Sequence, residues 1–267
     1  MKNRAITLLG HSGVGKTTLS ALLVSGGWFH YSGDYRIATR YLDEEISSWL
    51  AEKARDIPFF ADLQQKSAIK IAPKVSIDNI AILSAYIGKL GRNNFAAEEF
   101  FHRQRIFALA EKRAMFDVGQ FMDIAKRLYG KEKFINDAGG SLCEYGADTD
   151  LMDYLAEKTT FVYLEANADL NAEIERRALL YPKPICYDPE FLLAMIREFG
   201  EKKSGISPDE FDSDEFIRYL TPQFLAHRSA RYRALAEKYG VILPVEKVWQ
   251  CKTVSDFEQL LDEKRKG

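Results

Sequence analysis

Eight residues near the amino terminus, Gly10-His11-Ser12-Gly13-Val14-Gly15-Lys16-Thr17, fit the spacing G-x-x-x-x-G-K-[ST]. Each position in that spacing has a physical task. The glycines allow backbone conformations that a Cβ forbids, so successive N–H groups can turn inward around an anion. His11, Ser12 and Val14 contribute through their backbone. A helix opening at Thr17-Thr18 would add the positive end of its dipole at the same point. Lys16 supplies a point charge for β- and γ-phosphates, and the Thr17 hydroxyl is a Mg²⁺ ligand. The expected ligand is the triphosphate of ATP with Mg²⁺.

Other residues could act on that phosphate. Asp34 follows a short apolar run and could accept a hydroxyl proton or orient an acceptor; it is equally placed to cap the helical stretch YRIATRYLDEE. Asp137 ends Phe134-Ile135-Asn136 and opens Asp-Ala-Gly-Gly, where its carboxylate could hold Mg²⁺ and Gly139 and Gly140 would let backbone approach an acceptor. Arg176 and Arg177 precede a turn-rich segment and could close over transferring phosphates; a solvated helix face paired with Glu173 and Glu175 is the competing account. Arg228, Arg231 and Arg233 raise the same question. The four histidines are scattered and suggest neither a metal site nor a nucleophile relay.

The elements that must position these residues read as alternating strands and helices. Ala5–Leu9, 28–31, 134–136, 160–164 and 241–243 read as short buried strands, the first of them feeding directly into the glycine-rich turn. Helical spacing covers 18–24, stopping at Gly26-Gly27, and returns at 150–157, 168–180, 209–239 and 254–264. Between about 37 and 131 the pattern is helical, broken at Pro58, Pro73 and Gly91, with a modest basic excess that reads as a solvated face. Tyr181 to Pro208 holds four prolines and the run KKSGISPD, and reads as a mobile lid rather than core. The expected domain is a parallel α/β core from 1–40 and 131–267, with a helical insert over 41–130.

Composition excludes several classes. The 267 residues carry 37 Lys+Arg against 39 Asp+Glu, a net charge of −2, with 46% hydrophobic and 28% charged residues. Near-neutral charge argues against a nucleic-acid coat. No apolar run has the length of a membrane span, and the opening residues lack a signal-peptide layout. Three widely spaced cysteines give neither a disulfide framework nor a zinc pattern, so a cytoplasmic setting is expected.

On these residues the chain resembles the P-loop small-molecule kinases, the superfamily of dephospho-CoA, shikimate, gluconate and nucleoside-monophosphate kinases. The stretch Gly27 to Ala38 is similar to the dephospho-CoA kinase segment in which a strand ends in Asp-x-Asp before Ile-Ala. Ser32 stands where the first of those aspartates would be, and the resemblance implies that Asp34 is the acceptor-side carboxylate. Phe134 to Gly140 is similar to the third-strand segment of shikimate kinases, where glycines lie against the acceptor. Thr160 to Ala166 with Glu175-Arg176-Arg177 resembles the strand and lid-entry helix. Arg228-x-x-x-Tyr232 resembles a shikimate-kinase step whose arginine lies near the adenine. The resemblance implies a three-layer P-loop fold and transfer of the γ-phosphate of ATP to a small-molecule acceptor. The alternative is an ATPase or nucleotide-dependent switch whose helical insert binds a protein partner.

Overall fold

The computed structural model describes residues 4–77 and 79–266. Strands β1 (Ala5–Leu9), β2 (Phe29–Ser32), β3 (Phe134–Asp137), β4 (Thr160–Glu165) and β5 (Gly240–Pro244) form one sheet in the order β2-β3-β1-β4-β5, with every pairing parallel. Parallel neighbours cannot be joined by a tight turn, so helices carry every connection. Helix α1 (Lys16–Ser25) joins β1 to β2. Helices α2 (Gly33–Arg36), α3 (Asp43–Arg55), α4 (Pro58–Gln65), α5 (Ala81–Ile87), α6 (Ala97–Phe116) and α7 (Val118–Tyr129) lie between β2 and β3. Helix α8 (Thr149–Lys158) precedes β4. Helices α9 (Ala168–Leu180), α10 (Pro189–Lys202) and α11 (Ser213–Tyr239) precede β5, and α12 (Val245–Gln250) and α13 (Val254–Lys266) close the chain. No helix among the described residues is long and apolar enough to cross a membrane.

The period-2 geometry of the strands divides the core into two layers. Ile6 and Leu8 of β1 pack with Leu23, Val248 and Phe257 of α1, α12 and α13. Ala5 and Leu9 face the other way, toward Phe107, Ala114 and Leu151 of α6 and α8. All five residues of β1 are buried, as a central parallel strand covered on both faces requires. The result is an α/β sheet with helices on both faces.

Two segments differ from the reading of the sequence. The 41–130 stretch is not set apart from the core: Phe107, Ala114, Met115 and Val118 belong to the same cluster as β1 and β3, so α6 is part of the layer that covers the sheet. Nor is 181–208 a loose excursion. Asp188 caps α10 by accepting from the Phe191 N–H at 2.9 Å, Pro189 takes the first helical turn, and Leu192, Met195 and Phe199 enter a third apolar cluster with Phe100, Phe211 and Phe216. An Asp-Pro start followed by apolar residues three and four apart is a helix signal that the prolines obscured.

The sheet edge beside β5 leaves little room. Gly240 pairs with Phe161 in the parallel register, and a Cβ at Gly240 would stand 1.8 Å from the Phe161 carbonyl oxygen. Gly240→Ala is therefore expected to destabilise the fold by about 3 kcal/mol, as overpacking against backbone does. Thermal or denaturant unfolding checks this, and an unchanged midpoint refutes the close approach.

Because all strands run the same way, their carboxyl ends share one edge of the sheet. From β1 the chain first builds β2 and β3 on one side, then crosses to β4 and β5 on the other, so the order reverses around β1. In open α/β sheets that point, outside the strand carboxyl ends, is where a crevice forms. The residues following β1, β2 and β3 meet there.

Candidate functional site

The turn from Gly10 to Gly15 depends on glycine at three of its positions. Gly10, Gly13 and Gly15 have φ of 143°, 97° and 96°, the region that favours glycine. The turn is pinned from outside. The Val14 side chain is fully buried in the layer under α1, and the Trp249 indole N–H donates to the Val14 carbonyl at 3.3 Å. A Cβ at Gly15 would stand 2.8 Å from that indole nitrogen. The His11 ring is buried, places Nε2 2.8 Å from the Ser229 hydroxyl of α11, and meets Tyr232 edge-on. Burial, with Arg228 and Lys16 adding repulsion, pulls His11 down to about 3, so its ring is neutral. Gly15 caps α1 with no side-chain bond to the helix terminus and no acid in the first turn, which leaves the amides and the dipole of α1 uncompensated.

Lys16 folds back over this turn, donating to the Gly10 carbonyl at 2.6 Å and the His11 carbonyl at 3.1 Å. Burial pulls its ammonium below the ordinary lysine value, against the attraction of Asp137 and Asp34. The two carboxylates come from the ends of β3 and β2. Ser32, not Asp34, caps α2, accepting from the Tyr35 N–H at 3.2 Å, so the Asp34 carboxylate is not spent on the helix end. Asp34 instead lies against Gly139, whose φ is 71° and where a Cβ would come within 2.8 Å of Asp34 Oδ1. Burial, reinforced by Asp137 and partly offset by Lys16, pushes the Asp34 carboxyl up to about 6. Asp137 stands 3.6 Å from His30 Nε2. Lysine, two carboxylates and a left-handed glycine turn thus converge from three strand ends.

The remaining candidates are distributed around this centre. Arg177 reaches the turn from α9, where a Cβ at Gly13 would meet its Nη1 at 3.7 Å. It shares Glu173 with Arg176: Arg177 Nε and Arg176 Nε each donate at 2.7 Å, and both arginines are more than half exposed. Thr17, Thr18, Ser12 and Gly13 lie at the surface. Arg228 is buried and bound to the protein itself, its Nε donating to Glu144 Oε1 and its Nη2 to the Cys186 carbonyl at 2.8 Å. Its third face lies against Gly140, where a Cβ would be 3.0 Å from Nη1. The structure thus places Arg228 at the Gly139–Gly140 turn, and Tyr232 beside it donates to the Gly140 carbonyl. The three cysteines are free.

Nothing local in the sequence singles out Trp249, the His11 ring, Glu111 or Glu144. Their partners are more than thirty positions away in the chain, and for His11 and Trp249 more than two hundred. Only a fully buried acid within a helical pattern, as at Glu111, carries any local signal. Among the described residues no three His, Cys, Asp or Glu side chains form a metal-holding group. Mg²⁺ needs none where it keeps its waters and binds one or two protein oxygens with substrate phosphates, and Thr17 and Asp137 are of that kind. Comparison of the chain with family models, curated proteins and solved structures gave no match.

Proposed function

We propose that this protein is a Mg²⁺-dependent phosphotransferase that binds ATP on the Gly10–Thr17 turn and transfers its γ-phosphoryl group to a small hydroxyl-bearing acceptor beside Asp34. The observation that carries this is the placement of a buried ammonium, Lys16, on a positive-φ glycine turn with the carboxylates of Asp34 and Asp137 acting on it from the ends of β2 and β3. An anion on that turn would draw Lys16 off the Gly10 and His11 carbonyls, replacing neutral acceptors with charged ones.

Mg²⁺ bound with ATP would be held by Thr17 and Asp137 and would supply positive charge against that developing on the phosphates. This chain's own groups do the rest. The turn's amides and the amino end of α1 hold the phosphates, and Lys16 follows the charge as it moves to the leaving oxygen. The acceptor oxygen bonds to the γ-phosphorus as the bond to the β–γ bridging oxygen breaks with its electron pair on ADP, and the hydroxyl proton passes to Asp34. The lack of a Cβ at Gly139 lets the Asp34 carboxylate lie against the turn that follows β3. Arg177, next to Gly13, adds positive charge when it leaves Glu173.

The turn-over-into-water alternative draws on the exposed Ile57 and Phe59 at the start of α4, a patch suited to a protein partner. One experiment separates the readings. Titration calorimetry with Mg-ATP should show binding, with a change in tryptophan emission that Trp249→Phe removes. ADP release should then be slow alone and rise with a small acceptor. No heat from folded protein overturns nucleotide binding, and fast acceptor-free hydrolysis stimulated by a protein overturns the transferase.

A further inference from the structure

Strand β2 holds a polar side chain, His30, on a face where an apolar one would pack. Its neighbours Phe29 and Tyr31 enter the layer that contains α6 and α8, so His30 between them lies on the opposite face, toward α1. In the parallel register His30 pairs with Ile135 of β3, which packs with Leu19 and Leu23 of α1. Asp137, two residues further along β3, shares that face with Ile135. The imidazole is thus set diagonally to the carboxylate at the neighbouring strand end, with Nε2 3.6 Å from Asp137 Oδ2.

The two groups face each other without bonding. His30 Nε2 is buried and has no hydrogen bond, and 3.6 Å is too long for one to Asp137. Among the described residues the Asp137 carboxylate has no ion-pair contact besides His30, and Lys16 acts on it only through its charge. Other aspartates are held firmly: Asp117 by Arg36 at 2.7 Å, Asp148 by Lys112 at 2.8 Å, and Asp188 by Arg231 at 3.0 Å. An unpaired buried nitrogen costs about 1–3 kcal/mol, and a leucine at this largely covered position would carry no such cost. A fold that carries it beside the one free carboxylate facing its phosphate turn points to a use for the ring.

We propose that His30 is a positioning residue for Asp137: its Nε2–H donates to Oδ2 and so orients the other carboxylate oxygen toward the metal of Mg-ATP. This rests on the phosphotransferase reading above, in which Asp137 is a Mg²⁺ ligand. The donor set fits that ion. Mg²⁺ takes oxygen rather than imidazole nitrogen, so the ring serves the carboxylate and not the metal. A bare nitrogen lone pair would repel Oδ2, so the proton belongs on the nitrogen that faces it. Closing the gap needs a shift of about 0.6 Å, small enough for side-chain torsions to supply. Hydrogen bonds that orient a metal-binding carboxylate in this way are worth about 10–100-fold in metal affinity.

The test is titration calorimetry of ATP on the full chain, first in EDTA and then over a range of free Mg²⁺. His30→Leu removes the donor and keeps an apolar body. It should melt at or above the wild-type temperature, bind ATP in EDTA within about twofold of wild type, and need about 10–100-fold more free Mg²⁺ to reach Mg-ATP affinity. Transfer should show the same shift in Mg²⁺ requirement, with kcat recovering at saturating metal. His30→Asn, whose amide is too short to reach Oδ2, should behave likewise, and it decides the matter where the leucine variant does not fold. His30→Gln, whose Nε2 extends about as far as that of the ring, should bring the Mg²⁺ requirement back to within about threefold of wild type. With Asp137→Asn already in place, His30→Leu should have no further effect on the metal. An unchanged Mg²⁺ requirement in folded His30→Leu or His30→Asn overturns the proposal. So does an equal loss of ATP affinity in EDTA, which makes His30 a support of the turn, and so does a folded His30→Gln that restores nothing. A full effect of His30→Leu in the Asp137→Asn background also overturns it. Wild-type protein whose ATP binding does not depend on Mg²⁺ is a separate result, and overturns the phosphotransferase reading together with this one.

Discussion

Lys16→Ala is expected to weaken Mg-ATP binding about a hundredfold or more and to reduce transfer by a further 10²–10³-fold. The reason lies in what the ammonium does with and without phosphate. In the structure it is buried and satisfied only by the Gly10 and His11 carbonyls. Burial disfavours its charge, so the free protein gains little from holding it there. A triphosphate returns that cost through charge-assisted hydrogen bonds, each about twice as strong as a neutral one. Truncation removes that gain while leaving Val14, Trp249 and His11 to hold the turn, so the variant should fold with a melting temperature close to wild type. Lys16→Arg should not rescue, because a planar fork cannot occupy the space of a compact ammonium between two carbonyls. Calorimetry with Mg-ATP on folded Lys16→Ala checks the prediction; unchanged affinity or turnover would remove the Gly10–Thr17 turn from the mechanism.

What the sequence made legible is what is local in it. The strand 5–9, the glycine spacing and the helix that follows are consecutive, so residue type alone indicates where the backbone bends and which end of the helix is open. Asp34 and Asp137 were legible for a related reason: each follows a short apolar run, and parallel strands bring their carboxyl ends to one edge. Helix 168–180 is legible with its observed bounds because its spacing is uninterrupted, and in the structure Asn167 caps it by accepting from the Leu170 N–H. The rest depends on distant packing. Nothing near Trp249 says that its indole will donate to Val14, because α12 reaches the turn only after β5 has joined the sheet. The 41–130 stretch read as an insert because a helix facing a sheet and a helix facing solvent share the same 3.6-residue period. Arg228 carried the opposite difficulty: its residue type suggests a free cation, and only the fold reveals Glu144 and Cys186 already bound to it.

The second large effect concerns Asp34. Asp34→Asn should reduce transfer 10²–10⁴-fold, the range for loss of a group that accepts a proton in the transition state, while Mg-ATP affinity stays within about threefold. The same change should make the protein more stable at neutral pH. In the fold, burial and the Asp137 charge raise the carboxyl from its ordinary 3.8 to about 6. Between those two values the unfolded chain has lost the proton while the folded chain keeps it. Wild-type stability therefore declines as pH rises from about 4 to about 6 and levels off above, a loss of about 3 kcal/mol from this one group. An asparagine of the same shape has no proton to lose, so the variant lacks this decline and should melt several degrees higher at pH 7. Activity has the reverse dependence: transfer by the wild type should increase through pH 6 as Asp34 becomes the proton-accepting carboxylate. The two slopes share one cause, a carboxylate held where its charge costs stability because that charge is required beside the acceptor. Melting curves and transfer rates from pH 4 to 8, on both proteins, check the pairing. If Asp34→Asn instead loses Mg-ATP affinity, the carboxylate serves the metal, and if transfer survives, proton acceptance belongs to another group.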